Sequence, residues 1–495
     1  MKVCSLHFKN IRMKIPSGMS YLSKKIIACL FLFSGMANAA LPISVIEALK
    51  QSGIPQSSVG IYVQAVDEPQ PIISHHPELS MNPASVMKLV TTNAALDLLT
   101  PAYHWKTEIY RDGPVSNGVL NGNLIIKGYG DPSFKAQDFW RLLMAVQQAG
   151  IRQINGDLII DKSIFAENII RPAFDNEVWR AYNAEPSAFL VDGRHTSFKF
   201  SVAESAVHIS QEFELNEIEV VNRLQLSQAD CGDWRSRFAY SVQSKQNANL
   251  NGVVVTFNGS FSPECGERYL ELSVLNDEQY AFYTFKKLWG ELGGTFTGKL
   301  KVRVDNKSQE IKTSEIKVIE QMSEPLGYVI RDMNKWSNNL TARQLLLTLA
   351  AEKQGVPATE SVGASVIKNW LAAKNIDAKK LVIENGSGLS RIERISSEHL
   401  GWMLVSAYNS PAMPEFIASL PILGLDGTAQ RRMKESAAQN RVHMKTGSLE
   451  GVSSVAGYIF DSKNKRYAFV MMVNHPNAAA SRTAQDALIE WIYSR

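Results

Sequence analysis

The chain has 495 residues, of which 45% are hydrophobic and 20% are charged, so it is an ordinary globular sequence long enough for two to four domains. Its net charge of +4 is spread over 52 basic and 48 acidic residues. Because no basic block of the kind that binds nucleic acid is present, the composition argues against a nucleic-acid-binding protein.

The N-terminus predicts a secretory signal peptide over residues 1–39. Two lysines precede the apolar segment 26–36, and the small-x-small site Ala37-Asn38-Ala39 follows it. The apolar segment of about 11 residues is too short to span a bilayer. We therefore expect export to the periplasm, with an uncleaved membrane anchor as the alternative. Met19 would give a more compact signal, so the true start codon stays open.

The first part of the mature chain predicts a helix over 43–49, a strand over 58–66 and a mostly apolar helix that begins near Pro83. The chain then becomes β-rich, with two helices over 137–148 and 279–292. The strand candidates between Gly, Asn and Asp turns are 107–110, 120–127, 153–161, 197–202, 217–226, 252–258 and 269–274.

Helices return from about residue 317, at 326–333, 339–353, 362–374 and 397–408. The chain ends with strands over 441–444, 452–460 and 467–474 and a helix over 479–493. We expect the early strand and the three late strands to form one antiparallel sheet with helices on both faces. The β-rich middle is then an insertion that splits this domain.

A Ser-x-x-Lys motif formed by Ser85 and Lys88 lies where the early apolar helix begins. If Ser85 opens that helix, Lys88 lies on the same face, and a partly buried lysine with a lowered pKa can take the proton of the serine. The spacing is weak evidence on its own, because Ser314, Ser365 and Ser462 also have a lysine three residues later.

Two further motifs follow in order and raise the weight of Ser85. They are Ser337-Asn338-Asn339 and Lys445-Thr446-Gly447. The succession Ser-x-x-Lys, Ser-x-Asn, Lys-Thr-Gly is typical of serine β-lactamases and penicillin-binding proteins. The simpler readings are that Ser337 and Asn339 cap the next helix and that Lys445 is a solvated charge at a strand end.

Four cysteines are present, and the predicted signal peptide contains Cys4 and Cys29. In an exported protein the remaining pair, Cys231 and Cys265, predicts a disulfide, with two buried thiols as the alternative. The histidines are scattered and no metal-binding motif is evident, so no metal or other cofactor is expected.

The three motifs resemble those of class C low-molecular-mass penicillin-binding proteins, the D-alanyl-D-alanine carboxypeptidase/endopeptidase family. Further similar stretches are Gly130-Asp131-Pro132, 161–165, 385–391, Leu420-Pro421, Asp426-Gly427-Thr428 and 445–449. The resemblance covers nearly the whole mature chain. It implies an α/β fold like that of penicillin-binding proteins and serine β-lactamases, with an antiparallel sheet between helices, split by two nested inserted domains.

The implied domains are a discontinuous catalytic domain (40–100 and 312–495), an inserted domain II (101–170 and 265–311) and an inserted domain III (171–264). The implied activity is that of a periplasmic carboxypeptidase or endopeptidase that acts on peptidoglycan stem peptides and is inhibited covalently by β-lactam antibiotics. Peripheral membrane association and a homodimer stay open.

The resemblance and the chemistry give the same catalytic roles. Ser85 attacks the carbonyl of a D-Ala-D-Ala-type bond and Lys88 is the acylation base, although which lysine is the base is disputed even among relatives. Ser337 passes a proton to the leaving amine, and Asn339 holds Lys88 and the substrate amide.

The third motif is expected to bind substrate. Lys445 and Thr446 would hold the terminal carboxylate, and Gly447 leaves the strand bare so that the substrate can lie against it. The backbone N–H groups of Ser85 and Ser448 would form the oxyanion hole.

The resemblance also implies a pocket for a diaminopimelate side chain, formed by Glu177, Tyr182 and Arg391. A carboxylate suits the ammonium group of that side chain, a guanidinium suits its carboxylate, and an aromatic face covers its stem. Glu450 departs from an uncharged amide found in some relatives, and it would either anchor the ammonium or repel the carboxylate. The alternative for Glu177 and Arg391 is a surface charge and a loop-closing ion pair.

Two rival functions remain at this point. A β-lactamase would share the motifs, but those enzymes lack a large insertion, and no second carboxylate motif suited to activating water is evident. A non-catalytic peptidoglycan-binding scaffold would need a damaged motif, and all three motifs are intact.

Overall fold

The computed structural model describes residues 41–167, 174–247, 250–304 and 315–495. The predicted signal peptide and Ser314 lie outside the described residues. Residues 41–495 belong to one compact unit. No helix among the described residues is both long enough and apolar enough to cross a membrane.

The α-helices of the described residues are α1 (Ile43–Gln51), α2 (Met87–Leu99), α3 (Ala136–Gln148), α4 (Asp277–Glu291), α5 (Leu326–Trp336), α6 (Asn339–Gln354), α7 (Glu360–Ala373), α8 (Ser397–Tyr408), α9 (Met413–Ser419) and α10 (Arg482–Tyr493). The strands are β1 (Val59–Ala65), β2 (Pro71–His75), β3 (Lys106–Arg111), β4 (Val115–Ser116), β5 (Val119–Leu120), β6 (Leu124–Gly128), β7 (Gln153–Ile154), β8 (Leu158–Asp161), β9 (Thr196–Ala203), β10 (Ala206–Gln211), β11 (Ile218–Leu226), β12 (Phe238–Asn247), β13 (Leu250–Phe261), β14 (Arg268–Leu272), β15 (Thr295–Phe296), β16 (Leu300–Arg303), β17 (Ile316–Met322), β18 (Val442–Leu449), β19 (Val452–Phe460) and β20 (Arg466–Asn474).

The predicted antiparallel sheet joins the two ends of the chain, in the order β18-β19-β20-β1-β2. All four pairings in it are antiparallel. The prediction of four strands was wrong by one, because β2 pairs with β1 at the edge. Its sequence, Pro-Ile-Ile-Ser-His, is short and begins with a proline, which is tolerated at an edge strand.

Helices cover both faces of this sheet, as predicted. Side chains alternate along β1, so that Ile61 and Val63 join one apolar cluster with α1 and α10, while Tyr62 joins the other with α2 and α8. All seven residues of β1 are buried because both faces are covered.

The chain leaves this sheet region after α2 and returns before α5 on two neighbouring strands. β3 and β17 pair antiparallel, with Thr107 opposite Gln321. They belong to a second five-stranded sheet in the order β16-β8-β6-β3-β17. Because the outgoing and returning strands are partners, a long insertion leaves the two ends of the interrupted region close together.

Strand prediction in the inserted region was incomplete. The stretches 120–127 and 153–161 each divide into two strands, β5 and β6 in one and β7 and β8 in the other. The strands here that lie outside the predicted stretches are β4, β10, β12, β15, β16 and β17. β17 occupies the start of the region where helices were expected to return, and the first helix there begins at Leu326. β12 pairs with β13 along its whole length. Phe238, Tyr240 and Val242 alternate in its first half and pack against the apolar cluster, while its second half is polar. The polar second half is held in the sheet by its pairing with β13 rather than by its own composition.

Cys231 and Cys265 are joined by a disulfide, as predicted. Cys265 is buried, and Cys231 is half-buried against the same aromatic-rich cluster, which includes Phe200, Trp234 and Phe238. The bond therefore ties the turn before β12 to the turn after β13.

Candidate active site

Ser85 does not open the α-helix, which corrects one detail of the sequence prediction. It lies in a 3₁₀ turn, Ala84–Val86, and α2 begins two residues later at Met87. Ala84 has a φ of 46°, so the chain bends sharply just before the serine. The predicted neighbourhood is nevertheless present, because Lys88 lies in the first turn of α2 and its Nζ is 3.0 Å from Ser85 Oγ.

The amino group of Lys88 is fully buried and has three oxygen neighbours. Besides Ser85 Oγ, it donates to Asn339 Oδ1 at 2.6 Å and to the Ser387 carbonyl at 2.6 Å. A neutral amine has two N–H donors and one lone pair. The two short bonds use both donors, so the lone pair is left to receive the hydroxyl proton of Ser85.

The environment favours the neutral form of this amine. Burial lowers the pKa of Lys88 well below its usual value, the positive charge of Lys445 lowers it further, and the carboxylate of Glu393 acts in the opposite direction. A buried amine with a lowered pKa can act as a base near neutral pH.

Ser337 and Asn339 sit on either side of a helix boundary. Ser337 ends α5 in the left-handed conformation, with a φ of 61°. Asn338 is the residue that caps α6, since its side chain accepts from the Thr341 N–H at 3.0 Å. The helix-capping alternative for Ser337 and Asn339 therefore does not hold, and their side chains instead reach Lys445 and Lys88.

Lys445 is buried on β18 and is not a solvated strand-end charge. Its Nζ donates to Ser337 Oγ at 2.9 Å and to the Thr446 carbonyl at 2.8 Å. Burial lowers the pKa of Lys445 to about 7. This cation has no carboxylate bonded to it among the described residues, so an anionic group of a substrate would complete its surroundings.

Gly447 brings β18 directly against the turn that carries Ser85. A Cβ at Gly447 would lie 2.8 Å from the Ser85 nitrogen and 2.7 Å from the Pro83 carbonyl oxygen. Only a residue without a side chain fits this contact. Ser448 follows at an exposed position of β18, so the N–H groups predicted for the oxyanion hole come from two adjoining segments.

A second exposed hydroxyl lies beside the Lys-Thr-Gly motif. Thr428 Oγ1 is 3.2 Å from Thr446 Oγ1. The loop that carries Thr428 is attached to α5, because Lys335 Nζ donates to Asp426 Oδ2 at 2.6 Å and to the Leu420 carbonyl at 2.6 Å. The sequence singled out Asp426-Gly427-Thr428 as a familiar stretch but gave it no position in the site.

The Gly-Ser-Gly-Leu-Ser loop contributes backbone rather than side chains to the site. Ser387 supplies the carbonyl that accepts from Lys88. Gly388 has a φ of 84°, and a Cβ there would lie 1.9 Å from the Ala84 carbonyl oxygen. This loop is therefore pressed against the turn of Ser85, a contact that the sequence gave no means to find.

Two of the three residues of the predicted side-chain pocket lie on one short segment. The Tyr182 carbonyl is 3.4 Å from Asn339 Nδ2, which places this segment beside the catalytic motifs. The Tyr182 hydroxyl donates to Asp175 Oδ2 at 2.9 Å. Glu177 Oε2 accepts from the Tyr240 hydroxyl at 3.0 Å, so a residue of β12 also reaches this region.

Arg391 also contacts this segment. Its guanidinium lies 4.4 Å from the ring centroid of Phe174, and its Nη2 is 3.6 Å from Glu450 Oε2. Both charged side chains are more than half exposed, at 52% and 91%, so this pair is readily separated. No hydrogen bond or ion pair joins Arg391 to Glu177 in the described part of the chain. Phe174 and Asp175 were missed by the sequence analysis.

The sheet, the turn and helix that carry Ser85 and Lys88, and the three converging motifs define the class of the protein as a serine-type peptidase with the penicillin-binding-protein fold. Residues 41–494 match the D-Ala-D-Ala carboxypeptidase 3 (S13) family, and the chain belongs to that family.

Similar proteins extend over most of the chain. The D-alanyl-D-alanine carboxypeptidase DacB of Haemophilus influenzae is 25% identical over 445 residues, which cover 88% of this chain and 89% of that protein. A D-alanyl-D-alanine carboxypeptidase of an Actinomadura species is 26% identical and covers 82% of this chain and 76% of its own. The crystal structure of penicillin-binding protein 4 from Haemophilus influenzae gives a TM-score of 0.74 at 23% identity, over 92% of this chain and 100% of that one.

Proposed function

We propose that Ser85 is the nucleophile of a D-Ala-D-Ala carboxypeptidase that acts on peptidoglycan stem peptides through an acyl-enzyme. The observation that carries the proposal is the arrangement of Lys88, whose two N–H donors face Asn339 Oδ1 and the Ser387 carbonyl while its third position faces Ser85 Oγ. Membership of the D-Ala-D-Ala carboxypeptidase 3 family and the names of the similar proteins support the same activity.

In the acylation step, Ser85 Oγ bonds to the carbonyl carbon of the penultimate D-alanine while its proton moves to Lys88 Nζ. The negative charge that develops on the carbonyl oxygen is stabilised by the N–H groups of Ser85 and Ser448. The C–N bond then breaks, and Lys88 gives up the proton that it took from Ser85. That proton reaches the leaving amine through the Ser337 hydroxyl, to which Lys445 donates a hydrogen bond, so Lys88 is neutral again before deacylation. The products are the acyl-enzyme and the released amine.

Deacylation repeats the sequence with water in place of the serine. Water loses a proton to Lys88 as it attacks the ester carbonyl, and Ser85 regains its proton when the ester bond breaks. The acyl group leaves as a free carboxylic acid, and the enzyme returns to its starting protonation state.

The terminal carboxylate of the peptide is proposed to bind at Lys445 and Thr446. Lys445 is the buried cation nearest to Ser337, and the Thr446 hydroxyl is paired with that of Thr428. Penicillin also carries a carboxylate and an acylating amide, so it is proposed to enter the same site and inhibit the enzyme by forming a slowly hydrolysed ester.

The side-chain pocket of Glu177, Tyr182 and Arg391 belongs to this proposal and would recognise a diaminopimelate side chain. The close approach of Tyr182 to Asn339 supports it. The division into domains is also part of the proposal. It consists of a discontinuous catalytic domain (40–100 and 312–495), an inserted domain II (101–170 and 265–311) and an inserted domain III (171–264). Periplasmic location after removal of a signal peptide is the expected setting for such an enzyme, and a homodimer and peripheral membrane association stay open.

One experiment separates the three candidate functions. Release of D-alanine from a pentapeptide is followed with and without penicillin, and a cross-linked dimeric peptide is tested in parallel. Steady release that penicillin blocks supports the carboxypeptidase, and cleavage of the dimer adds endopeptidase activity. Rapid destruction of penicillin supports a β-lactamase, and the absence of any covalent adduct supports a scaffold.

A further inference from the structure

Glu393 is a buried carboxylate that the proposed mechanism does not use. Its relative exposure is 0%, and it follows the Gly-Ser-Gly-Leu-Ser loop. Glu393 Oε1 accepts three hydrogen bonds from consecutive backbone N–H groups, from Glu384 at 3.0 Å, Asn385 at 3.0 Å and Gly386 at 2.9 Å. Three successive N–H groups that converge on one oxygen form an anion-binding arrangement.

The segment held by Glu393 is the one that positions the amino group of Lys88. Directly after Gly386 comes Ser387, whose carbonyl accepts from Lys88 Nζ at 2.6 Å. Thr91, one turn after Lys88 on α2, donates to the Gly386 carbonyl at 2.7 Å and so attaches the same segment to the helix.

We infer that Glu393 is a positioning residue for acylation: its carboxylate holds segment 384–387 so that the Ser387 carbonyl keeps the Lys88 amine aimed at Ser85. Glu393 acts through Lys88 and does not itself contact Ser85. This inference rests on the proposed function, because it assigns Lys88 the role of the base.

Electrostatics adds a second effect to the positioning. The charged side chains that act on Lys88 are Lys445, which lowers its pKa, and Glu393, which raises it. Lys88 in turn is the charged side chain that acts on Glu393, whose pKa burial raises while the three N–H groups lower it. The remaining oxygen, Oε2, is buried without a hydrogen-bond partner among the described residues. Glu393 therefore offsets part of the effect of Lys445 on the base.

Replacing Glu393 with Gln tests the inference, because the amide oxygen can still accept the three N–H bonds while the charge is lost. The acylation rate constant for a fluorescent penicillin rises as Lys88 loses its proton, so its acid limb reports the pKa of Lys88. Without the carboxylate that pKa falls, and we expect the acid limb to move to lower pH. Glu435→Gln, an exposed position, is the matched control and should leave the limb unchanged.

Glu393→Asp is the second variant, and it keeps the charge while drawing the carboxylate back by one methylene group. We expect the plateau of the acylation rate constant to fall by about tenfold, because the segment is no longer held in place. The acid limb should stay closer to that of the unaltered protein than the limb of Glu393→Gln does, because the charge is kept. If Glu393→Gln does not fold, Glu393→Asp still decides the matter. Unchanged rates in Glu393→Asp would overturn the positioning role, and an unmoved limb in folded Glu393→Gln would overturn the electrostatic effect on Lys88. Labelling that survives Ser85→Ala would instead overturn the proposed function itself.

Discussion

The Lys445 amino group donates a hydrogen bond to the Ser337 hydroxyl over 2.9 Å. The two residues come from different elements, the buried strand β18 and the left-handed residue that ends α5. The bond connects an amino group of lowered pKa to the hydroxyl that is proposed to pass a proton to the leaving amine.

Ser85 is expected to be the residue that penicillin acylates. Ser85→Ala removes the nucleophile and should abolish covalent labelling while the thermal unfolding temperature changes little, because Ser85 is a small, half-buried residue of a turn. Mass spectrometry of the penicillin-treated protein should locate the adduct on the peptide that contains Ser85. An adduct on Ser314, Ser365 or Ser462 would contradict the assignment.

Lys445 is expected to make stability depend on pH. Its pKa is about 7 in the folded protein, below the ordinary value of 10.5. Between these two pH values Lys445 is protonated in the unfolded chain but neutral in the folded protein, so the free energy of unfolding increases as pH rises. Below about pH 7 Lys445 is charged in both states, and the full cost of burying the charge destabilises the fold.

The variant Lys445→Met removes this cost. It should unfold at a higher temperature than the unaltered protein near pH 6, corresponding to a few kcal/mol, and the gap should shrink as pH approaches about 10. Calorimetry of both proteins over this range measures the gap, and peptidase activity of the variant should be lost. A difference in unfolding temperature that is the same at every pH would show that Lys445 does not carry a buried charge that destabilises the fold.

The proposed side-chain pocket predicts a difference between substrates. Glu177→Ala and Arg391→Ala should each lower kcat/KM for a diaminopimelate-containing peptide by ten- to a hundredfold, or about 1.4–2.7 kcal/mol. Penicillin acylation should change much less, because penicillin lacks that side chain. Arg431→Ala, at an exposed position outside the site, serves as the control. Equal losses with both substrates would mean that these residues support the fold.

The disulfide between Cys231 and Cys265 is expected to stabilise the inserted region. It joins positions 34 residues apart, and closing a loop of that length contributes about 3 kcal/mol. The double variant Cys231→Ser/Cys265→Ser should therefore unfold at a lower temperature while penicillin still labels Ser85. The thiol count of protein purified without reductant should be zero in the described chain, and two free thiols would refute the bond.

Sequence reasoning located the three motifs of the candidate site because the chemistry proposed for them depends on residue type and local spacing. Ser85 and Lys88 are three positions apart, so any helical turn brings them together. Sequence reasoning failed where pairing with another segment of the same chain decides the structure. β12 was missed and β2 was left out of the sheet, because the polar half of β12 and the short edge strand β2 are fixed by pairing with a neighbour.

The sequence by itself determined the three motifs, the cysteine pair and the interrupted sheet, because each is expressed in local spacing, composition or alternation. Only the tertiary structure decided how Lys88 is held. Its two short hydrogen bonds go to Asn339 and to a backbone carbonyl at Ser387, about 250 and 300 positions away in the chain. A carbonyl has no residue type to read, and the lowered pKa of a buried lysine depends on what surrounds it in space, so neither feature can be read from a linear pattern.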